Sequence, residues 1–275
     1  MSAVTHPGRA LRARYLLSDS LALAGRNLQH VRQIPEKLLD VTIQPVMFVL
    51  LFAYVFGGVI HVAGGNYREY LIGGVLVQTL AFGMMGPAVS IATDLTEGIV
   101  DRLRSLPMAR SAYIAGHLLA ELAASLLGAI VLCLSGLIVG WRIHTDVPHA
   151  LAGFGLLMLF AFTMLVVGTL LGLLVRSPDA AQGVVFIAVF PLTFVANTFV
   201  PIAGLPSVLQ QIAAYNPISA FAAAFRTLFG NPLALPAHPS WPIEHAVLSS
   251  CIWCVALLSI ATPLMLWRYR ARTTG

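Results

Sequence analysis

The chain has 275 residues, of which 58% are hydrophobic and only 10% charged, with a mean hydropathy of +0.85 and a formal net charge of +5. A soluble domain of this size carries about a quarter charged residues, so most of this surface faces something other than water. That composition belongs to polytopic membrane proteins, and no basic patch interleaved with aromatics points to a nucleic-acid partner.

Residues Met1–Gly8 read as a disordered start. From Leu17 to Ile34, the residues Leu17, Leu21, Ala24, Leu28, Val31 and Ile34 keep one helical stripe, with Asp19, Arg26, His30 and Gln33 elsewhere. Pro35 ends it. A basic, one-sided helix of this kind lies in the inner-leaflet interface, with membrane lipids as its partner. The first apolar run follows mixed, arginine-bearing sequence, so no cleavable signal peptide is expected. Residues 1–37 are therefore read as a cytoplasmic N-terminus, residues 38–267 as the transmembrane domain and residues 268–275 as a cytoplasmic tail.

Six runs are long enough to cross a hydrocarbon core of ~30 Å, which takes ~20 helical residues. They are Leu39–Ile60, Tyr70–Thr93, Ile114–Gly140, Ala150–Val175, Ala180–Pro201 and Ala246–Trp267. The expected fold is thus an all-α integral membrane protein with six transmembrane helices. Arginine placement supports the count. Arg9, Arg12, Arg14, Arg26, Arg32 and Lys37 precede the first span; Arg102, Arg104 and Arg110 follow the second. Arg176 lies between the fourth and fifth, and Arg268, Arg270 and Arg272 follow the sixth. Only Arg68, Arg142 and Arg226 fall on the other side. The positive-inside rule then places both termini in the cytoplasm.

Between the second and third spans, Asp94–Pro107 carries five charged residues. Leu95, Ile99, Leu103 and Leu106 share one helical face, and Glu97, Asp101 and Arg104 the opposite one. Asp94 followed by Glu97 fits a capping box, and Pro107 stops the helix. The reading is a short amphipathic helix at the membrane edge, presenting charge to a soluble partner. Any loop between membrane helices can also carry such a turn.

The segment from Gly204 to His245 is the longest connection on the outer side. Its apolar stretches Leu205–Ala214 and Ile218–Phe229 are too short to span and are separated by Tyr215-Asn216-Pro217, a pattern that suits re-entrant or interfacial helices. The Pro-rich tract Asn231–Pro242 returns the chain to the last span.

The sequence offers no site for nucleotide chemistry. A phosphate-binding loop needs Gly-x-x-x-x-Gly-Lys-Ser/Thr, and the only lysine, Lys37, follows Pro35-Glu36. ATP-driven work would need a separate polypeptide, and no hydrolase motif is present. Cys251-Ile-Trp-Cys254 has redox spacing, but one turn within a membrane span is a poor thiol-exchange site. No metal site is expected. Charges inside spans cost about 2.5–3.5 kcal/mol at a helix centre, which draws attention to Glu121, with His117 one turn earlier on the same face. Either they form a proton or cation site, or they reach the cytoplasmic interface or pair within the bundle. Gln44, Gln78, Thr163, Thr169, Asn197 and Thr198 either line a route for an amphipathic substrate or bond between helices, the commoner role. Pro45 and Pro191 break the helical ladder. Gly136–Gly140 and Gly168–Gly172 have helix-packing spacing. Phe186, Phe190, Phe194 and Phe199 contact either substrate or lipid. A weak candidate path is Gln44, Gln78, Glu121, Phe190 and Asn197.

The run Glu97-Gly98-Ile99-Val100-Asp101-Arg102-Leu103-Arg104-Ser105-Leu106-Pro107-Met108 resembles the first cytoplasmic loop of type-2 ABC exporter permeases, most closely the daunorubicin-resistance permeases of actinobacterial drug and lipid exporters. The likeness is dense over this run and one of layout elsewhere, including a connecting helix before the first span and external helices with an Asn-Pro turn. The resemblance implies a coupling helix that rests on a P-loop ATPase subunit. Glu97, Asp101, Arg102 and Arg104 would make charged contacts, Gly98 would allow close approach and Pro107 would set the exit angle. ATP and magnesium would be bound by the partner, so the chain itself would be a transport subunit without cofactor or enzymatic activity. A second permease copy or a paralogue would complete the path in a bacterial cytoplasmic membrane. The implied cargo is a hydrophobic drug, antibiotic or lipid. The main alternative is a proton-coupled secondary transporter using Glu121 and His117; an intramembrane enzyme and a purely structural subunit are further rivals.

Overall fold

Helix boundaries follow capping and breaking residues in the sequence. The computed structural model describes residue 43 and residues 46–98, 110–235 and 239–272. The expected interfacial helix within Leu17–Ile34 lies outside the described residues, as do Gln44 and Pro45. The first described helix, α1, is Val46–Phe56, and its last turn, Phe52–Phe56, is a π-helix. Asn66 opens α2 (Tyr67–Phe82), its side-chain oxygen accepting the Arg68 N–H at 3.0 Å. After a tightened turn at Gly83–Met84 the chain resumes as α3 (Met85–Thr96). Helix α4 is Arg110–Val139, and α5 is Val147–Leu174 with Pro148 in its first turn. The Ser177 hydroxyl accepts the Ala180 N–H at 3.2 Å and starts α6 (Pro178–Phe194). A 3₁₀ turn at Ile202–Gly204 precedes α7 (Ser207–Tyr215) and α8 (Pro217–Phe229). Asn216 caps α8 by accepting the Ile218 N–H at 2.9 Å. The single turn α9 (Trp241–Glu244) leads into α10 (Ala246–Arg272).

The described chain is all-helical, apart from an isolated bridge between Val62 and Gly65. Among the described residues, four helical stretches are long and apolar enough to cross a membrane. They are Tyr67–Thr96, which joins α2 and α3, Tyr113–Val139, Val147–Leu174 and Ala246–Ala271. Two of the six expected spans end earlier than expected. Helix α6 has 17 residues and ends at Phe194, not at Pro201. It rises about 25 Å, short of the ~30 Å core. Pro191 lacks an N–H, and the hydroxyls of Thr193 and Thr198 bond to the carbonyls of Val189 and Thr193, which competes with continuation of the ladder. Helix α1 likewise ends early, at Phe56 and not at Ile60, and the start of the expected Leu39–Ile60 run lies outside the described residues.

Helix α5 is the hub, packing on α10, α3, α8 and α4. The packing depends on missing side chains. A Cβ on Gly168 would stand 2.2 Å from the Met84 carbonyl oxygen, and one on Gly172 2.6 Å from that of Ala88, so this pair seats α5 on α3. The second pair splits its roles: Gly136 packs on Ile72, while Gly140, at φ +108°, ends α4. Helix α8, in the segment expected to hold re-entrant or interfacial helices, packs into the core. Phe221, Ala222, Ala224, Phe225 and Phe229 are each fully buried. It packs on α10, α2 and α5. Outward, α1, α4, α6 and α10 present large apolar residues such as Ile138 and Ile187, 85% and 75% exposed, as suits a lipid or protein neighbour.

Close contact at glycine gives a direct test. A Cβ on Gly74 would lie 1.9 Å from the Thr198 carbonyl oxygen, whereas Gly155 and Gly183 meet nothing within 4 Å. Gly74→Ala and Gly168→Ala should each lower stability by about 1–3 kcal/mol through overpacking. Gly155→Ala and Gly183→Ala should be neutral or stabilising by up to about 1 kcal/mol. Heating the detergent-purified protein and following its monodisperse fraction measures all four; equal effects would contradict this packing.

Candidate functional site

The expected amphipathic helix Asp94–Pro107 begins in the end of α3, and the local structure there differs from the expected one. Asp94 does not open a new helix. It lies in the last turn of α3, Glu97 is the C-terminal cap, and the Glu97 N–H donates to the Thr93 carbonyl at 2.9 Å. Gly98 follows at φ +67°, the left-handed conformation that stops helices and that a side chain would strain. The Asp-x-x-Glu pattern therefore marks an end here, not a capping box. Glu97 is exposed there. Asp101, Arg102, Arg104 and Pro107 lie outside the described residues.

The Asp94 side chain has another use. Its Oδ2 accepts the hydroxyl of Tyr113 on α4. The Tyr113 ring stacks on His117 at 6.4 Å between centroids and on Tyr269 of α10 at 6.3 Å. Around them Ile91, Ile114, Leu118, Leu165, Leu173 and Met265 form a second apolar core. One hydrogen bond thus ties the last turn of α3 to α4, and the Tyr113–Tyr269 ring contact ties α4 to α10. Glu121, one turn beyond His117, is half-buried, and its Oε2 would be 2.7 Å from a Cβ on Gly86. His117 is buried. This pair lies in the same end of the bundle, facing α3.

The weak path residues do not share one surface. Gln78 is buried in α2, while Phe190 is 40% exposed on α6 and stacks between Phe186 and Phe194. Asn197 is buried in the wall between helices: its N–H donates to the Ser219 hydroxyl oxygen at 3.1 Å, and its carbonyl accepts the Tyr70 hydroxyl at 2.7 Å. Thr163 and Thr169 bond back to carbonyls of their own helix. Cys251 and Cys254 are free thiols on α10.

A second polar cluster at the opposite end escaped the sequence reading. Arg226, counted on the outer side, is fully buried on α8. Its Nε donates to the Tyr70 carbonyl at 2.9 Å and its Nη2 to the Thr198 carbonyl at 3.1 Å, while its guanidinium lies 3.5 Å from the Tyr70 ring centroid. The available signal was a lone charge in the apolar run Ile218–Phe229. Nearby, Trp141 donates to Asn231 at 2.7 Å, and the Thr145 hydroxyl to the Leu228 carbonyl at 2.7 Å, fastening the end of α8 to the α4–α5 turn. On the exposed surface, His149 bonds to Asp146 and holds its carboxyl below the usual range.

Residues 19–229 match the ABC-2 type transporter family, and the chain belongs to it. It is 27% identical over 272 residues to the daunorubicin resistance ABC transporter permease protein DrrB1 of Streptomyces coeruleorubidus, covering 98% of this chain and 91% of that one. The doxorubicin resistance ABC transporter permease protein DrrB of Mycobacterium tuberculosis is 24% identical, covering 82% and 80%. The putative transport permease ycf38 of Cyanophora paradoxa is 22% identical, covering 82% and 77%. The chain is thus the membrane subunit of an ABC transporter.

The Asp94–Tyr113 contact should behave as a coupled pair. Tyr113→Phe keeps the ring stack and removes the hydroxyl, at an expected cost of about 1–2 kcal/mol. A double-mutant cycle with Asp94→Ala, read by thermal unfolding, should show coupling of about 1 kcal/mol or more. Additive losses would mean that the bond does not join α3 to α4.

Proposed function

We propose that this chain is the permease half of an ABC exporter that moves a hydrophobic or amphipathic compound out across the bacterial cytoplasmic membrane. One observation carries the reading: a member of the ABC-2 family whose single lysine, Lys37, stands in no phosphate-binding loop. A separate P-loop subunit then binds ATP and magnesium and supplies the force. A second copy or a paralogue completes the path. The names of the relatives, which include daunorubicin and doxorubicin resistance permeases, favour a drug, antibiotic or lipid as cargo.

In this reading α1 and α6 are the first and fifth of six spans, with the shortfall of α6 met by local bilayer thinning. Thirteen of the sixteen Lys and Arg residues then lie on the side of both termini, which puts them in the cytoplasm. The Asp94–Pro107 segment rests on the ATPase there. Glu97, Asp101, Arg102 and Arg104 make its charged contacts, and Gly98 turns the chain out of α3 toward them. When the ATPase subunits close, the segment moves, and α3 carries the movement to α4 and α10 through Asp94, Tyr113 and Tyr269. Packed helices are bistable, so a small displacement at this end shifts the spans from inward-open toward outward-open. The apolar surfaces of the spans give an amphipathic cargo a poorly solvated path.

Replacing Glu97 and Arg104 together should leave membrane insertion intact and abolish substrate-stimulated ATP hydrolysis by the reconstituted complex. Unchanged stimulation would remove the coupling role. Transport that persists without ATP and collapses with a protonophore would instead favour the His117–Glu121 proton route.

A further inference from the structure

Arg226 is the only described charged side chain that is fully buried, and nothing in the transport scheme yet uses it. Its surroundings are unusual for a buried cation. No carboxylate pairs with it among the described residues. Its partners are two backbone carbonyls and one aromatic face. Its Nη1 is buried without a hydrogen-bond partner, and so are the Tyr67 hydroxyl and the Asn197 Oδ1 in the same region. An isolated buried charge is costly, and charge-assisted bonds to carbonyls with a ring face offset only part of that cost.

The partners come from distant parts of the chain. Tyr70 lies in the first turn of α2, Thr198 in the irregular stretch after α6, and Arg226 itself in the last turn of α8. One guanidinium therefore pins three segments that meet at one end of the bundle. The neighbouring sequence makes room for it. A Cβ on Gly73 would lie 3.1 Å from the Arg226 Cγ, and Gly74 lets the Thr198 carbonyl touch the α2 backbone.

We propose that Arg226 is a positioning residue that keeps the outer end of the transport path shut, by latching α8 and the α6–α7 connection onto α2. This rests on the reading above, which makes the chain a transport half with a path and takes the α8 end as external. A latch of this kind is firm while dry and releasable when wet. Opening admits water, which satisfies the orphaned Nη1 and hydrates the charge, so release forfeits two carbonyl bonds and recovers the desolvation cost. A carboxylate partner would hold the end far more tightly. Lysine is a poor substitute, because a point charge cannot fork to two carbonyls while lying flat on a ring.

The test is labelling by a membrane-impermeant maleimide of the permease with its ATPase subunit in intact cells. Cys133, Cys251 and Cys254 are first replaced. Single reporters are then placed at Ala222, buried on α8 one turn before Arg226, and at Ala161, buried on α5. With Arg226 present, both reporters should stay unlabelled at rest. In Arg226→Met, the Ala222→Cys reporter should label at least about tenfold faster and the Ala161→Cys reporter should not change. Arg226→Lys should give an intermediate rate, and it decides the matter if the methionine variant is not produced. Unchanged labelling at Ala222→Cys overturns the latch. Equal gains at both reporters also overturn it, because Arg226 would then merely hold the fold together. A Val208→Cys control, 70% exposed on α7, separates the two readings. Should it label only when reagent reaches the cytoplasmic face, as it does when added outside inverted vesicles, the orientation falls, and the latch is judged with reagent on that face.

Discussion

A backbone carbonyl or N–H left without a partner in hydrocarbon costs several kcal/mol, and the constraint is felt most where α6 stops before the chain has reached α8. Between Phe194 and Ile202 the chain is irregular, and here and around Asn216 side chains meet backbone groups one at a time. Asn216 donates to the Leu192 carbonyl at 2.7 Å. The Tyr70 hydroxyl serves the Asn197 carbonyl, Ser219 accepts the Asn197 N–H, and Arg226 serves the Thr198 carbonyl. The Thr198 hydroxyl returns to Thr193. Oddities on two separate helices share this one cause. It explains why an otherwise apolar α8 carries Ser219 and Arg226, why α2 carries the buried Tyr70, and why Gly73 and Gly74 follow it.

Legibility in the sequence tracked how local each determinant was. Helices α7 and α8 could be read from two short apolar runs about Asn216-Pro217, because an Asn cap and a Pro at the first helical position act within three residues. The expected stop at Pro201 was late, since the sequence window for a span counts apolar residues and does not register threonines turning their hydroxyls onto the ladder. The burial of Arg226 was illegible for a different reason. A charge-counting rule assigns every cation to water, and the carbonyls that hold this one have no residue type to search for. The wall position of Asn197 was invisible on the same grounds, since its backbone does the bonding.

At the other end the error was one of direction. Asp-x-x-Glu can open a helix or occupy its last turn, and the deciding residues lie outside the tetrad: Gly98, which takes a left-handed φ, and Tyr113, which claims the Asp94 carboxylate. Tyr113 is 19 positions away, beyond the reach of any local pattern. The charged character of the segment was legible all the same, because it depends only on which residues interrupt two apolar runs.

The two ends are built differently, and the difference bears on how force would pass between them. The α3 end is joined through the Asp94–Tyr113 bond and the Tyr113–Tyr269 ring stack, contacts that rotate and slide at small cost. The α8 end is joined through backbone carbonyls, which cannot move without moving the chain that carries them. Between them lies Gly83–Met84, where the Gly83 N–H bonds to the Thr79 carbonyl at 2.9 Å and the Met84 N–H to the Ala81 carbonyl at 3.4 Å. This tightened turn separates α2, latched by Arg226, from α3, seated on Gly168 and Gly172 of α5. On the proposed reading, a push delivered at Glu97 therefore reaches the latch by two routes. One is the Gly83 joint, directly along the chain. The other runs through α5 into α8, which packs on it. The α5 route has the closer contact, because a glycine pair leaves backbone against backbone with no side chain to absorb the displacement, and it ends on the helix that carries the buried guanidinium.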